Sequence, residues 1–124
     1  MKTVSPERAV ELVKSGAVLI DIRESHEHAN ENIPGARHHA LSQIDAQHPV
    51  HAGDTILIFH CKSGARTNMN AKRLSTAAEN CEVYLLGGGI EAWKRAGLPT
   101  SRAGQATSGA GHGGFLKRLA ALFG

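Results

Sequence analysis

The apolar positions of this chain switch between two spacings. Residues 17–22 (AVLIDI), 54–59 (DTILIF) and 82–86 (EVYLL) are short runs with little polar interruption, as expected of strands buried on both faces. Between them the apolar residues fall at helical spacing. Ser5-Pro6-Glu7 supplies a capping hydroxyl, a proline at the first helical position and an early acid, and the helix runs to about Lys14 before Gly16 ends it. Glu24 or Ser25 opens a short helix through Asn30. A short strand is expected over 37–40 and a helical turn over 41–46. Residues 67–79 put Met69, Leu74, Ala77 and Ala78 at helical spacing, with Asn70, Lys72 and Arg73 between them. Residues 90–96 form the last helix, closed by Gly97. Strands alternating with helices predict an α/β fold, with a mostly parallel central sheet flanked by helices on both faces. No internal repeat is present.

The pattern places one residue in a special position. Cys61 stands where strand 54–59 has ended and helix 67–79 is about to begin, in the turn His60-Cys61-Lys62-Ser63-Gly64-Ala65-Arg66-Thr67. Backbone N–H groups in such a turn point inward, and the helix start adds partial positive charge. Lys62 and Arg66 add whole charges, so a thiol held there is expected to ionise readily. The competing reading is an inert buried cysteine that behaves as a small hydrophobe. Gly64, which permits a tight loop, and the two flanking cations favour the reactive one. The spacing Cys61 to Arg66 is Cys-x4-Arg. Cysteine-dependent phosphatases use a loop longer by one residue, wide enough to surround a tetrahedral phosphoryl group. The tighter loop suits one extra sulfur atom on the cysteine.

At these residues the chain resembles the rhodanese (sulfurtransferase) family. The resemblance continues in Asp21-Ile22-Arg23-Glu24 with Glu27, in Ile33-Pro34-Gly35-Ala36, and in Leu86-Gly87-Gly88-Gly89-Ile90-Glu91-Ala92-Trp93 followed by Ala96-Gly97-Leu98-Pro99. It departs where a Gly-His usually precedes Ile-Pro-Gly-Ala and Glu31-Asn32 stands here. The resemblance implies a rhodanese-like domain over about residues 1–100 and a two-step sulfur transfer. Cys61 takes the outer sulfur of a donor such as thiosulfate, becomes a persulfide, and passes the sulfur to cyanide, a thiol or a protein thiol. In this reading the amides of 62–66, including those of Gly64 and Ala65, stabilise the anionic sulfur. Lys62 and Arg66 attract the donor, and Ser63 and Thr67 donate hydrogen bonds. Asp21 and Arg23 are read as a structural ion pair. Neither a metal nor an organic cofactor is implied. The rival classes are a non-catalytic binding or sulfur-sensing module and a phosphatase or arsenate reductase.

Composition sets the outer bounds. A chain of 124 residues has room for one core. Two cysteines are too few for a disulfide framework. The first residues carry no apolar signal segment and no run approaches the roughly 20 apolar residues of a membrane span, so a cytoplasmic location is expected. All 11 acids and 11 of the 14 Lys and Arg fall within residues 1–100. The net charge of +3 therefore belongs to Arg102, Lys117 and Arg118, and gives no reason to expect a nucleic-acid partner. Residues 101–114 hold five glycines and read as a flexible linker. Residues 115–124 follow as a short basic amphipathic tail. Phe115, Leu116, Leu119, Leu122 and Phe123 share a helical face opposite Lys117 and Arg118. That segment either frays or folds back on the domain, or binds a membrane surface or partner weakly.

Other reactive-looking residues have simpler readings. His26, His28, His38 and His39 sit in polar loop context without a cysteine nearby, which argues against a metal site. His60 adjoins Cys61, but neighbours on a strand point to opposite faces, so it is expected beneath the loop rather than as a base. Cys81 is read as structural, with a resolving role toward Cys61 as the alternative. Gly87-Gly88-Gly89 lacks nucleotide-fingerprint spacing, and is expected to let the chain turn close to Cys61.

Overall fold

Ser5 accepts the Arg8 amide at 3.1 Å and Pro6 follows it, so the first helix starts where its cap residues dictate. The computed structural model describes residues 1–45, 50, 55–79 and 81–103. In chain order these form β1 (Lys2–Val4), α1 (Pro6–Lys14), β2 (Val18–Asp21), α2 (Ser25–Asn30), β3 (Glu31–Asn32) and β4 (Arg37–His38). A 3-10 turn (Leu41–Gln43), β5 (Ile56–His60), α3 (Ala65–Met69), α4 (Ala71–Ala77), β6 (Glu82–Leu86), α5 (Gly89–Arg95) and β7 (Ser101–Arg102) complete the order.

The main sheet has the order β1-β6-β5-β2-β4, and every pairing in it is parallel. Its strands alternate between two cores. Ile20, Leu57 and Phe59 face Leu74 and Ala77 of α4, while Leu19, Ile58 and Leu86 face Ala9 and Leu12 of α1 and Ile90 and Trp93 of α5. With both faces covered, the strands need no polar alternation, which is why they read as continuous apolar runs. From β2 the chain moves outward to β4, and from β5 it moves the other way to β6. The two loops leaving the carboxyl ends of β2 and β5 therefore diverge, and the crevice between them is where open parallel sheets hold ligands.

Three expectations need correction. The helix expected over 67–79 is two helices that begin at Ala65 and break at Asn70. The Asn70 side chain donates to the Arg66 carbonyl at 2.8 Å, satisfying that carbonyl locally and letting the chain change direction. Because of that break Met69 is 85% exposed rather than part of the core. The domain also extends past residue 100, since Ser101–Arg102 pairs antiparallel with Glu31–Asn32 and the Ala103 amide donates to the Asn30 carbonyl at 2.9 Å. The start of the expected strand at Asp54, the remainder of the linker and the whole tail 115–124 lie outside the described residues.

Candidate active site

β5 carries Cys61 to the edge of that crevice, and the next three residues close a turn over it. Gly64, at φ +97°, is the residue before α3 and donates its amide to Cys61 Sγ at 3.1 Å. Thr67 Oγ1 lies 3.8 Å from the same sulfur. Its hydroxyl donates to the Gly64 carbonyl at 3.0 Å, and the Asn68 side-chain amide donates there at 2.8 Å. Thr67 is thus buried under the turn, Ser63 and Lys62 stand exposed on its rim, and Ala65 is the exposed first residue of α3. Cys61 itself is 0% exposed.

The outer side of the turn is fixed by α5. The Ile90 amide donates to the Cys61 carbonyl at 2.9 Å and the Glu91 amide to the Lys62 carbonyl at 3.1 Å. A Cβ on Gly89 would stand 2.4 Å from the Cys61 carbonyl oxygen and 2.5 Å from that of Lys62. Only glycine allows this approach, so the glycine run earns its place by letting two chain segments touch. With its first two carbonyls drawn toward α5, the turn is free to offer an amide to the sulfur.

Of the two cations expected beside the sulfur, the structure leaves one open. Arg66 makes a two-pronged pair with Glu27 of α2, with Nη1 and Nη2 each 2.7 Å from a carboxylate oxygen. The Arg66 hydrogen bonds hold the Glu27 carboxyl down to about 2, and Glu27 in turn raises Arg66 above its ordinary value. Lys62 forms no ion pair among the described residues. Glu27 is the residue that sequence reasoning passed over. It lies 39 positions from Arg66, and nothing local announces their contact.

Beneath the crevice, Asp21 and Arg23 form a buried pair. Arg23 Nη2 is 2.8 Å from Asp21 Oδ2, and the Arg23 amide donates to Oδ1 at 2.9 Å. His28 Nδ1 also meets Oδ2 at 2.8 Å. Burial alone would raise the Asp21 carboxyl, but the Arg23 and His28 hydrogen bonds outweigh it and hold the group well below the usual carboxylate range. Arg23 extends to the Glu31 carbonyl, which ties the first loop to β3. The Glu31 carboxylate gathers Lys94, Thr100 and Arg102, so the Glu-Asn that departs from the family pattern serves as a hub joining β3 to the end of the domain.

His60 is fully buried with Nδ1 3.3 Å from the Cys61 carbonyl, and burial pushes its imidazole toward the neutral form. Among the described residues its Nε2 is the buried side-chain atom without a hydrogen-bond partner. A neutral ring donating through Nδ1 carries the smaller cost of an unpaired lone pair. Cys81 sits before β6, whereas Cys61 follows β5. Ile56 is level with Glu82, so the two thiols lie at opposite ends of neighbouring parallel strands, roughly 20 Å apart at about 3.3 Å per residue. A disulfide needs Cα atoms within about 7 Å, so Cys81 does not resolve Cys61 within this fold.

An open cleft of about 460 Å³ adjoins the turn, with Arg23 and Glu27 from the first loop and α2, Lys62 from the turn, and Ile90, Glu91 and Lys94 from α5 on its walls.

Residues 5–96 match the Rhodanese-like domain family. The chain is 36% identical over 100 residues to the thiosulfate sulfurtransferase GlpE of Stutzerimonas stutzeri, a match covering 75% of this chain and 84% of that one. It is also 36% identical over 105 residues to the GlpE of Ectopseudomonas mendocina, covering 82% and 92%. Among solved structures, a rhodanese-related protein from Thermoplasma volcanium superposes with a TM-score of 0.71 at 19% identity, over 82% of this chain and 98% of that one.

Proposed function

The chain belongs to the rhodanese-like domain family, and on that footing we propose that it is a sulfurtransferase whose sulfur-carrying residue is Cys61. The observation that carries this reading is the Gly64 amide directed at Cys61 Sγ at 3.1 Å, in a turn at the carboxyl end of a central strand. The cysteine thiolate attacks the outer sulfur of thiosulfate. The S–S bond of the donor breaks, its electron pair leaves with sulfite, and Cys61 becomes a persulfide anion. An acceptor nucleophile then attacks the terminal sulfur and returns the thiolate: cyanide in an assay, a thiol or protein thiol in a cell. The route is a two-step exchange closed by one side chain.

The Gly64 amide stabilises negative charge on the carried sulfur as an oxyanion hole does. Thr67 keeps its proton on the Gly64 carbonyl, so its part is to brace the turn and to accept from a neutral thiol. Lys62, exposed and unpaired by other described side chains, meets the anionic donor. Cys61 is closed to solvent, so the donor reaches it only when its side chain or the turn over it moves. Neither Cys61 nor Cys81 is in a disulfide, which fits the cytoplasmic location read from composition. No helix among the described residues is long and apolar enough to cross a membrane.

The test is a thiosulfate:cyanide assay with intact-mass measurement after thiosulfate alone. Turnover, with one added sulfur mapped to Cys61, supports the reading. A chain that takes up no sulfur from thiosulfate or another persulfide donor is a binding module instead.

A further inference from the structure

A guanidinium fork fits two oxygens of a carboxylate, and it fits two oxygens of phosphate, arsenate or sulfate equally well. In this protein the fork nearest the Cys61 turn is already filled from inside the chain. Arg66, in the first turn of α3, binds both oxygens of Glu27 at 2.7 Å, and Glu27 Oε1 also accepts the Glu24 amide at 3.2 Å. The carboxylate therefore has a fixed aim rather than a chance surface contact. The Arg66 side chain is 36% exposed and its partner Glu27 lines the adjoining cleft, so an anion taking the place of the Glu27 carboxylate would meet the guanidinium. The arginine that lines the cleft, Arg23, is likewise committed, to Asp21.

We propose that Glu27 is a specificity-determining residue: by occupying Arg66 it denies tetrahedral oxyanions a two-pronged hold beside Cys61. The remaining recognition, one exposed lysine and a backbone amide, suits a donor that presents a sulfur atom to the cysteine. The inference rests on the sulfurtransferase reading for its purpose, though its test does not involve turnover. It shifts the exclusion of phosphate chemistry from loop length alone to loop length plus an internal counter-anion. Removing the charge of Glu27 leaves Lys62 and Arg66 as two uncompensated cations on one turn, the arrangement that the sequence by itself suggests.

The experiment is a titration of the full chain with inorganic phosphate at low ionic strength, followed by the backbone amide resonances of residues 62–67. Glu27→Gln is expected to bind phosphate at these residues about tenfold more tightly than the unaltered chain, equivalent to about 1.4 kcal/mol. Glu27→Ala must show the same gain, which guards against a folding defect peculiar to one variant. Glu27→Asp, keeping the charge, stays close to the unaltered chain. The double variant Glu27→Gln/Arg66→Gln must lose the gain. If phosphate affinity is the same with and without the Glu27 charge, or if the gain survives removal of Arg66, the pair is only a latch between α2 and α3 and the proposal fails. A chain that bound phosphate as expected but moved no sulfur would uphold this inference and sink the sulfurtransferase reading.

Discussion

Gly89 and Cys61 come so close that a methyl group on the first would stand 2.4 Å from the carbonyl oxygen of the second. Gly89→Ala therefore has to push α5 away from the turn that presents the sulfur, in addition to straining a backbone at φ +59°. The expected outcome is a loss of about 2–4 kcal/mol of stability and a fall of at least tenfold in sulfur transfer. Gly97→Ala is the control. Its φ of +78° carries similar strain, but nothing lies within 4 Å of the added Cβ. It should cost about 1 kcal/mol and leave transfer intact. Chemical denaturation and the thiosulfate:cyanide assay, run on both, check this.

Replacing Cys61 with serine should abolish transfer while moving the thermal midpoint by only a few degrees, since the hydroxyl fills nearly the same buried space and can accept from Gly64. Mass spectrometry after thiosulfate should find no sulfur on Cys81 in either protein. Sulfur that accumulates on Cys81 in the variant would show that the turn is not the only receptive thiol.

The Glu27–Arg66 pair makes a prediction in acid. The ordinary carboxyl value is 4.5 and the folded one about 2, so the folded state binds this proton more weakly than the unfolded state does. The stability it contributes is whole above about pH 4.5 and drains away as pH falls toward 2. The gap in thermal midpoint between the unaltered chain and Glu27→Gln should therefore be constant from pH 7 to 5 and close below that. A gap that persists at pH 2 would mean that the glutamine variant is destabilised by something other than the lost ion pair. Asp21 is held low in the same direction, so both the unaltered chain and the variant should keep losing stability as pH falls over this range.

The tail is testable without touching the domain. Because β7 and Ala103 belong to the fold, the cut is made after residue 103 rather than after residue 100. Removing 104–124 should leave transfer and thermal midpoint nearly unchanged. If the apolar stripe beside Lys117 and Arg118 works at an interface, only the full chain will co-sediment with anionic vesicles, and salt will release it. Equal recovery of both forms in the supernatant at low salt refutes the interfacial reading.

What the sequence made legible follows from range. The cap at Ser5-Pro6, the strand 82–86 and the strand–turn–helix around Cys61 are written in adjacent residues, and the structure has them at or within two positions of where spacing puts them. Asn70 shows the limit of periodicity. Leu74 and Ala77 kept their face, yet one side-chain amide bonding back to Arg66 ended the first helix and turned Met69 outward. Charge was the least legible quantity. Arg66 reads as a donor-binding cation when only its neighbours are seen, and as a neutralised one once α2 folds over it. The short pairing of Glu31–Asn32 with Ser101–Arg102 was hidden for the same reason, its two halves being about 70 positions apart and too brief to carry any spacing.

That small pairing decides where the chain leaves the domain. Arg102 binds Glu31, and Glu31 stands on the wall of the cleft beside the Cys61 turn. Met1 and Lys2, by contrast, stand with Cys81 at the far end of the sheet, where the parallel strands begin. The described chain thus leaves the domain at residue 103 beside the reactive cleft, while its amino end stands at the opposite pole. A purification handle or a solid support attached through the amino end leaves the cleft clear. A body joined directly after residue 103 instead crowds the approach of donor and acceptor.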